Sequence, residues 1–319
     1  MKNFFFYNIV KVIITLGSLF FIYKSSKEYF QIIFEKINLD YYLFIVLIFL
    51  RFFQQIFASL RFFSLLKLIS KYNTNFITWS RIYFSTALVH LTPIIGAGHL
   101  MRSYEMKNRD FSYKEYINLQ FIIFSWGMLV ESLLMFLICF FNKEINMYIT
   151  SLFILIIICF LPTISKTFIN FVYRYIKNNN ALNYFKKFNL FNSLKINVEK
   201  TIRITVNTIN KKNFIVYSSY TICLFFFEFL TFYILLSYIF MITNLKIVIL
   251  FFILNFLIKK IPLINGILGL REVILGTIMQ QFGLIFFESV LFSITFRAVN
   301  LVSVLLSNLL FYSLKSEKK

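Results

Sequence analysis

The 319 residues are 59% hydrophobic and 14% charged, with a mean hydropathy of +0.77, whereas a soluble domain is about 25% charged. That composition excludes an ordinary water-soluble globule. The net charge is +20, from 33 Lys and Arg against 13 Asp and Glu; in so apolar a chain it marks cytoplasmic loops beside an anionic lipid surface, and argues against nucleic-acid binding.

The apolar residues come in long blocks, at 41–60, 118–141, 147–165, 213–241 and 287–312. A helix crosses a bilayer core with about 20 such residues. No two-residue alternation of polar and apolar runs through the blocks, so membrane strands are not expected. The expected fold class is all-α, a polytopic helical membrane protein forming a single integral membrane domain over residues 1–319.

In chain order, helix 4–23 comes first. Lys11 interrupts its apolar run and no small-residue cleavage site follows, so it reads as a retained membrane helix and not a signal peptide. Helix 41–60 is next, then a broken element at 82–97. Helices 118–141 and 147–165 form a hairpin around Asn142–Asn146. The loop 166–212 holds ten Lys and Arg and one acid, Glu199, which places it in the cytoplasm. Within it, 174–204 alternates Phe, Leu and Ile with Lys, and reads either as an amphipathic surface helix on an anionic leaflet or as a plain basic loop. Helix 213–241, a short apolar piece at 246–258, a second broken region at 261–284 and helix 287–312 complete the chain.

Lys2 and Lys11 put the N-terminus in the cytoplasm, and Lys315, Lys318 and Lys319 put the C-terminus there. Arg102, Lys107, Arg109 and Lys114 make 102–114 cytoplasmic too, so 82–97 would enter and leave on one face as a re-entrant turn. The count is about eight crossings plus a re-entrant segment in the cytoplasmic membrane of a bacterium.

Cys139, Cys159 and Cys223 are widely spaced within apolar blocks and read as small buried hydrophobes. His90 and His99 are too isolated for a metal site. No Walker-type loop is present, and no Ser-His-Asp order or acidic metal cluster stands out. Neither a cofactor nor an enzymatic activity is expected.

Two segments depart from the apolar background. One runs from Leu91 through Pro93, Gly96 and Gly98 to Arg102. The other runs from Ile261 through Pro262, Asn265, Gly266 and Gly269 to Arg271 and Glu272. The Pro-to-Arg offset is nine residues in each. Two of the three prolines and four of the eight glycines of the chain fall here. Broken backbone is tolerated at membrane depth only inside protein or beside a water-filled cavity, and a matched pair of such breaks suggests the internal inverted repeat of some transporters. Half-helix N-termini accept anions, and a nearby Arg adds a planar fork suited to phosphate. The functional reading is a headgroup site formed by Arg102, Arg271, Glu272, Asn265 and Arg297. The plain alternative is two structural kinks whose arginines snorkel to the interface.

Nine Arg stand beside 24 Lys, so an Arg inside an apolar stretch carries information. Arg51, Glu131, Glu228 and Arg297 are such intramembrane charges, each costing at least about 2.5 kcal/mol to insert. Glu131 or Glu228 pairing with Arg271 or Arg297 is the expectation, either as structural ion pairs or for handling substrate or protons.

These motifs resemble the lysylphosphatidylglycerol synthase transmembrane-region family, also called flippase-like or UPF0104 membrane proteins. Leu60-Arg61 is similar to the Arg that closes the family's second helix. Pro93…Gly98…Arg102 is similar to its Pro…Gly-acidic…Arg segment, although His99 stands where the acid is usual. Pro262…Gly266…Gly269-Leu270-Arg271-Glu272 matches the third motif closely, and Ser293 with Arg297 fits an Arg of the last helices. The resemblance covers roughly residues 45–312. It implies lipid handling: translocation of an anionic phospholipid or a polyprenyl-phosphate-linked glycan between leaflets. Bifunctional members carry a soluble aminoacyl-transferase domain after the membrane domain. None follows within these residues, and aminoacyl transfer is not expected of this chain. The alternative readings are a membrane partner or anchor of a glycosyltransferase or lipid-synthesis enzyme, docked through 166–212, and a membrane-embedded transferase using Glu131, Glu228 or Glu272 as base.

Overall fold

The computed structural model describes residues 41–69, 75–90, 97–107, 111, 113–141, 147–160, 211–261 and 269–314. Helix 4–23, the Asn142–Asn146 turn, most of the basic loop 166–212, the C-terminal lysines, and the residues Pro93, Gly96, Pro262, Asn265 and Gly266 lie outside them.

Nine α-helices are present among the described residues, with no strand. They are α1 (Tyr41–Ile69), α2 (Phe76–His90), α3 (Ala97–Lys107), α4 (Tyr113–Phe141), α5 (Met147–Phe160), α6 (Lys211–Ile234), α7 (Leu245–Lys259), α8 (Leu270–Gln280) and α9 (Phe286–Ser313). A π-helical turn, Leu235–Ile239, prolongs α6. Four stretches are long and apolar enough to cross a membrane: Tyr41–Lys67, Leu119–Phe140, Lys212–Tyr238 and Phe286–Ser313. The 29 residues of α1 rise about 43 Å at 1.5 Å each, more than a hydrocarbon core of about 30 Å. Many large apolar side chains on these helices face outward, such as Phe49, Phe140, Phe226 and Leu309. Water would not tolerate that surface, and lipid does. The chain is a polytopic helical membrane protein.

Several boundaries differ from those expected. Residues 82–90 are not broken. They continue α2 without interruption to His90, and Gly98 sits inside the first turn of α3 and not in a break. Residues 91–96, between α2 and α3, lie outside the described residues. At the other end, 270–280 of the expected broken region 261–284 is regular helix. Lys211 and Lys212 begin α6 and do not end a loop. Of the three cysteines only Cys139 is buried. Cys159 is exposed and Cys223 intermediate, because α5 and α6 present apolar faces outward.

The chain divides into two compact units. In the first, formed by residues up to 56, 80–101 and from 226 on, the core is aromatic. Phe232 meets Phe296 at 4.6 Å and Phe292 at 4.8 Å between ring centroids, and Phe251 meets Phe292 at 4.6 Å. Helix α8 packs on α9 through Gly276, whose missing side chain makes room for the Phe286 ring and Val290. Ser289, Ser293, Ser303 and Ser307 line the buried face of α9, small residues of the kind that let helices approach closely in membranes. Arg81 of α2 donates to the carbonyls of Phe311 and Tyr312 at the α9 C-terminus, at 2.7 and 3.2 Å, where a cation also complements the helix dipole.

The second unit, residues 57–79 and 102–225, is centred on two tryptophans. Trp79 stacks on Phe62 at 4.6 Å and its indole N–H donates to the Ser59 carbonyl at 3.1 Å. Trp126 makes edge contacts with Phe214 and Tyr217.

Candidate functional site

The second motif supplies the start of α8. Gly269 precedes it with φ +88°, a conformation that disfavours any residue with a Cβ. That turn points the Gly269 N–H back at Glu272, whose Oε2 accepts it at 2.9 Å. The carboxylate thus occupies one of the helix's unpaired N-terminal donors and sits at the positive end of the dipole.

Glu272 is 2% exposed. Its second oxygen, Oε1, accepts from Ser293 Oγ at 3.1 Å and forms an ion pair with Arg297, whose Nε lies 2.9 Å away; both partners are on α9. The neighbouring Arg271 turns the other way, and its Nη2 donates to Asn255 Oδ1 on α7. Successive residues on a helix point to different sides, so the Arg-Glu pair ties the first turn of α8 to two helices at once.

Arg51 of α1 belongs to the same unit. Its guanidinium lies over the Phe296 ring, 3.8 Å from the centroid, and the Arg271 guanidinium lies 5.9 Å from that same centroid. Arg51 donates to Gln54 Oε1, and Gln54 Nε2 donates to Glu228 Oε2 at 3.0 Å. Lys259 Nζ bonds both Glu228 oxygens, at 3.0 and 3.1 Å. Arg271 lies within electrostatic reach of Arg51, Arg297, Glu228 and Glu272. One connected polar cluster therefore runs through α1, α6, α7, α8 and α9 in a surrounding of Phe, Leu and Ile.

Its donors outnumber its acceptors. Arg51 Nε, Arg271 Nε, Arg297 Nη2 and Asn255 Nδ2 are buried atoms with no hydrogen-bond partner among the described residues. Every carboxylate oxygen, by contrast, already carries a donor. Unpaired buried N–H groups are costly, and four of them stand in this one cluster. Among the described residues no group of three or more His, Cys, Asp or Glu could hold a metal ion.

The expected pairing of intramembrane charges is corrected. Arg297 pairs with Glu272, its close neighbour across the α8–α9 contact. Glu228 pairs with Lys259, and the partner found for Glu131 is Arg61 at 3.4 Å. Neither Glu228 nor Glu131 is joined to Arg271 or Arg297 by these bonds, because each has a cation at hand within its own unit.

Arg102 belongs to a different unit from the residues with which the sequence grouped it. It lies in the second unit, Arg271 in the first. Arg271 is the second residue of α8, whereas Arg102 is six residues into α3 and is 4% exposed, with its guanidinium 5.7 Å from the Phe62 ring centroid. The equal Pro-to-Arg spacing thus meets different helix starts. Neither arginine snorkels to the surface of its unit: Arg271 is 6% exposed.

Gln54, Asn255, Lys259 and Phe296 escaped sequence reasoning. Asn255 is the one strongly polar side chain between Ile247 and Ile258, and Gln54 stands one helical turn after Arg51. An isolated polar residue within an apolar span is the signal that would have found Asn255, and a polar pair, Gln54-Gln55, one turn from a buried charge is the signal that would have found Gln54.

No curated protein and no solved structure matches the chain. The family model described as the lysylphosphatidylglycerol synthase TM region matches residues 8–307, nearly the whole chain, and the chain belongs to that family.

Proposed function

We propose that the chain moves a lipid with an anionic headgroup between the leaflets of a bacterial cytoplasmic membrane, with both termini on the cytoplasmic side. The headgroup rests against Arg51, Arg271 and Arg297 while its hydrocarbon chains stay in lipid. The observation that carries this reading is the set of buried guanidinium N–H groups without acceptors on those three residues. An arginine fork matches phosphate oxygens, and a charge within an apolar span marks a substrate path more readily than a packing element. Membership in a family named for the membrane region of a lipid synthase supports lipid as the class of ligand. Glu272 and Asn255 act as positioning residues, since they hold Arg297 and Arg271 in place. No bond is made or broken in this reading, so no catalytic residue is assigned.

The test is a leaflet-accessibility assay in proteoliposomes with fluorescent phosphatidylglycerol, phosphatidate and a short polyprenyl diphosphate. Transbilayer movement above that of empty vesicles is expected for at least one of them, and Arg271→Gln should slow it by about tenfold or more, the loss of one charge-assisted contact. No movement of any anionic lipid would overturn the reading. If neutralising the lysines of 166–212 abolished cellular function while Arg271→Gln left it intact, the chain would be a docking partner for another membrane enzyme.

A further inference from the structure

Resting on that headgroup reading, we infer that the anion taken at the α8 site is a phosphate group carrying two negative charges, a phosphomonoester or a diphosphate, and not the singly charged phosphodiester of common phospholipids. Charge is the first observation. Arg51, Arg271, Arg297 and Lys259 meet only Glu228 and Glu272 in the cluster, which leaves an excess of two positive charges (4 − 2). Lys260, which also acts electrostatically on Glu228, adds to this excess. The other charges of this unit among the described residues do not reduce it. Arg81 is engaged at the far end of α9, Lys246 is exposed at the start of α7, and Glu288 accepts the Ile285 N–H at the start of α9. The segment 262–268 that leads into α8 contains no ionisable residue.

Hydrogen-bond inventory is the second observation. The four unpartnered donors, Arg51 Nε, Arg271 Nε, Arg297 Nη2 and Asn255 Nδ2, call for a ligand rich in acceptors. A phosphomonoester offers three strong acceptor oxygens and about −1.5 to −2 charge at neutral pH; a phosphodiester has one charge and two free oxygens. Guanidinium stays protonated throughout, so the site cannot shed its charge to suit a monoanion.

The same inventory disfavours an ammonium on the headgroup. Glu272 Oε1 and Oε2 and Glu228 Oε1 and Oε2 all accept from protein donors. An amine would find no carboxylate oxygen free of one and would stand near three arginines. Phosphatidylethanolamine and aminoacylated headgroups are therefore the poorest ligands in this account.

The experiment is calorimetric titration of the full chain, purified in detergent, with four probes: dioctanoyl phosphatidate, farnesyl diphosphate, dioctanoyl phosphatidylglycerol and inorganic pyrophosphate. Phosphatidate and farnesyl diphosphate are expected to bind about tenfold or more tightly than phosphatidylglycerol. Arg51→Lys, which keeps the charge and loses the fork, should narrow that ratio less than Arg51→Gln. Equal affinity for phosphatidate and phosphatidylglycerol in the unaltered protein would overturn this inference while leaving the headgroup reading intact. Binding of none of the lipids would overturn both. Pyrophosphate binding as tightly as farnesyl diphosphate would assign the site to a free phosphate compound and overturn its lipid part.

Discussion

Arg297 Nε lies 2.9 Å from Glu272 Oε1, on a carboxylate whose other oxygen caps the start of α8 through the Gly269 N–H. One side chain thus sets both where the helix begins and how it meets α9. In Glu272→Gln the amide oxygen can still accept one N–H, but Arg297 loses its counter-charge in a cluster already rich in cations. Breaking a buried pair costs about 3–5 kcal/mol. With the Arg297 side chain 23% exposed, the lower end is expected. Glu272→Gln combined with Arg297→Gln should cost less than the two single changes summed, with a coupling of about 1–3 kcal/mol. Unfolding in detergent of the singles and the double measures it, and a coupling near zero would show that the pair does not hold α8 to α9.

Gly276 makes a prediction that owes nothing to charge. A Cβ there would stand 2.6 and 2.7 Å from carbons of the Phe286 ring and 3.2 Å from Val290. The ring is attached at the first residue of α9 and must swing away or push the helices apart. Overpacking of this kind costs about 1–3 kcal/mol, so Gly276→Ala should lower the melting temperature. Phe286→Leu in the same chain should restore much of the loss. If Gly276→Ala alone were neutral, the close approach of α8 and α9 would not be needed.

The helical architecture was legible because hydropathy in blocks of about 20 residues is a property of each block alone. The helices at 113–141, 211–234 and 286–313 lie within a few residues of where the apolar blocks end. Arg271 and Glu272 stood out in a motif rich in Gly and Pro, and Arg297 as a charge inside an apolar span; Glu272 and Arg297 form an ion pair. What could not be read was partnership. Glu272 and Arg297 are 25 apart in number and meet across the contact of α8 with α9, which comes close at Gly276. Arg102 looked equivalent to Arg271 from spacing, yet spacing does not reveal where a helix starts. Asn255 takes its role from the Arg271 it faces, and Gln54 from Arg51 and Glu228 together.

Glu228 divides its two oxygens unequally, and the two halves should differ in weight. Lys259 reaches it from a side chain that is 44% exposed. Such half-exposed pairs contribute about 0–1 kcal/mol, so Lys259→Ala should shift stability by less than about 1 kcal/mol. Glu228→Ala removes the acceptor of the Gln54 amide, which is 5% exposed, and leaves a buried donor unpaired, at about 1–3 kcal/mol. It also raises the positive excess around Arg51. Denaturant titration of the two variants side by side tests the order; the reverse order would place the weight of the contact on the lysine.

In the second unit, Gly127 and Tyr217 offer a reversal of sign. The Tyr217 hydroxyl donates to the Ile123 carbonyl of α4 at 2.6 Å, and its ring lies 5.5 Å from the Arg61 guanidinium. A Cβ on Gly127 would come within 3.1 Å of that hydroxyl and 3.7 Å of Glu131 Oε1. Tyr217→Phe keeps the ring under Arg61 and removes only the hydrogen bond, at about 1 kcal/mol. Gly127→Ala in the unaltered chain must push the hydroxyl by a few tenths of an ångström, strains its bond to Ile123 and should destabilise. Once Tyr217→Phe has removed the hydroxyl, the same Gly127→Ala meets no such contact. It should then gain up to about 1 kcal/mol from the helical preference of Ala over Gly. Thermal unfolding of the two singles and the double reads this directly. Equal costs for Gly127→Ala in both backgrounds would show that the tyrosine hydroxyl is not what keeps a glycine at 127.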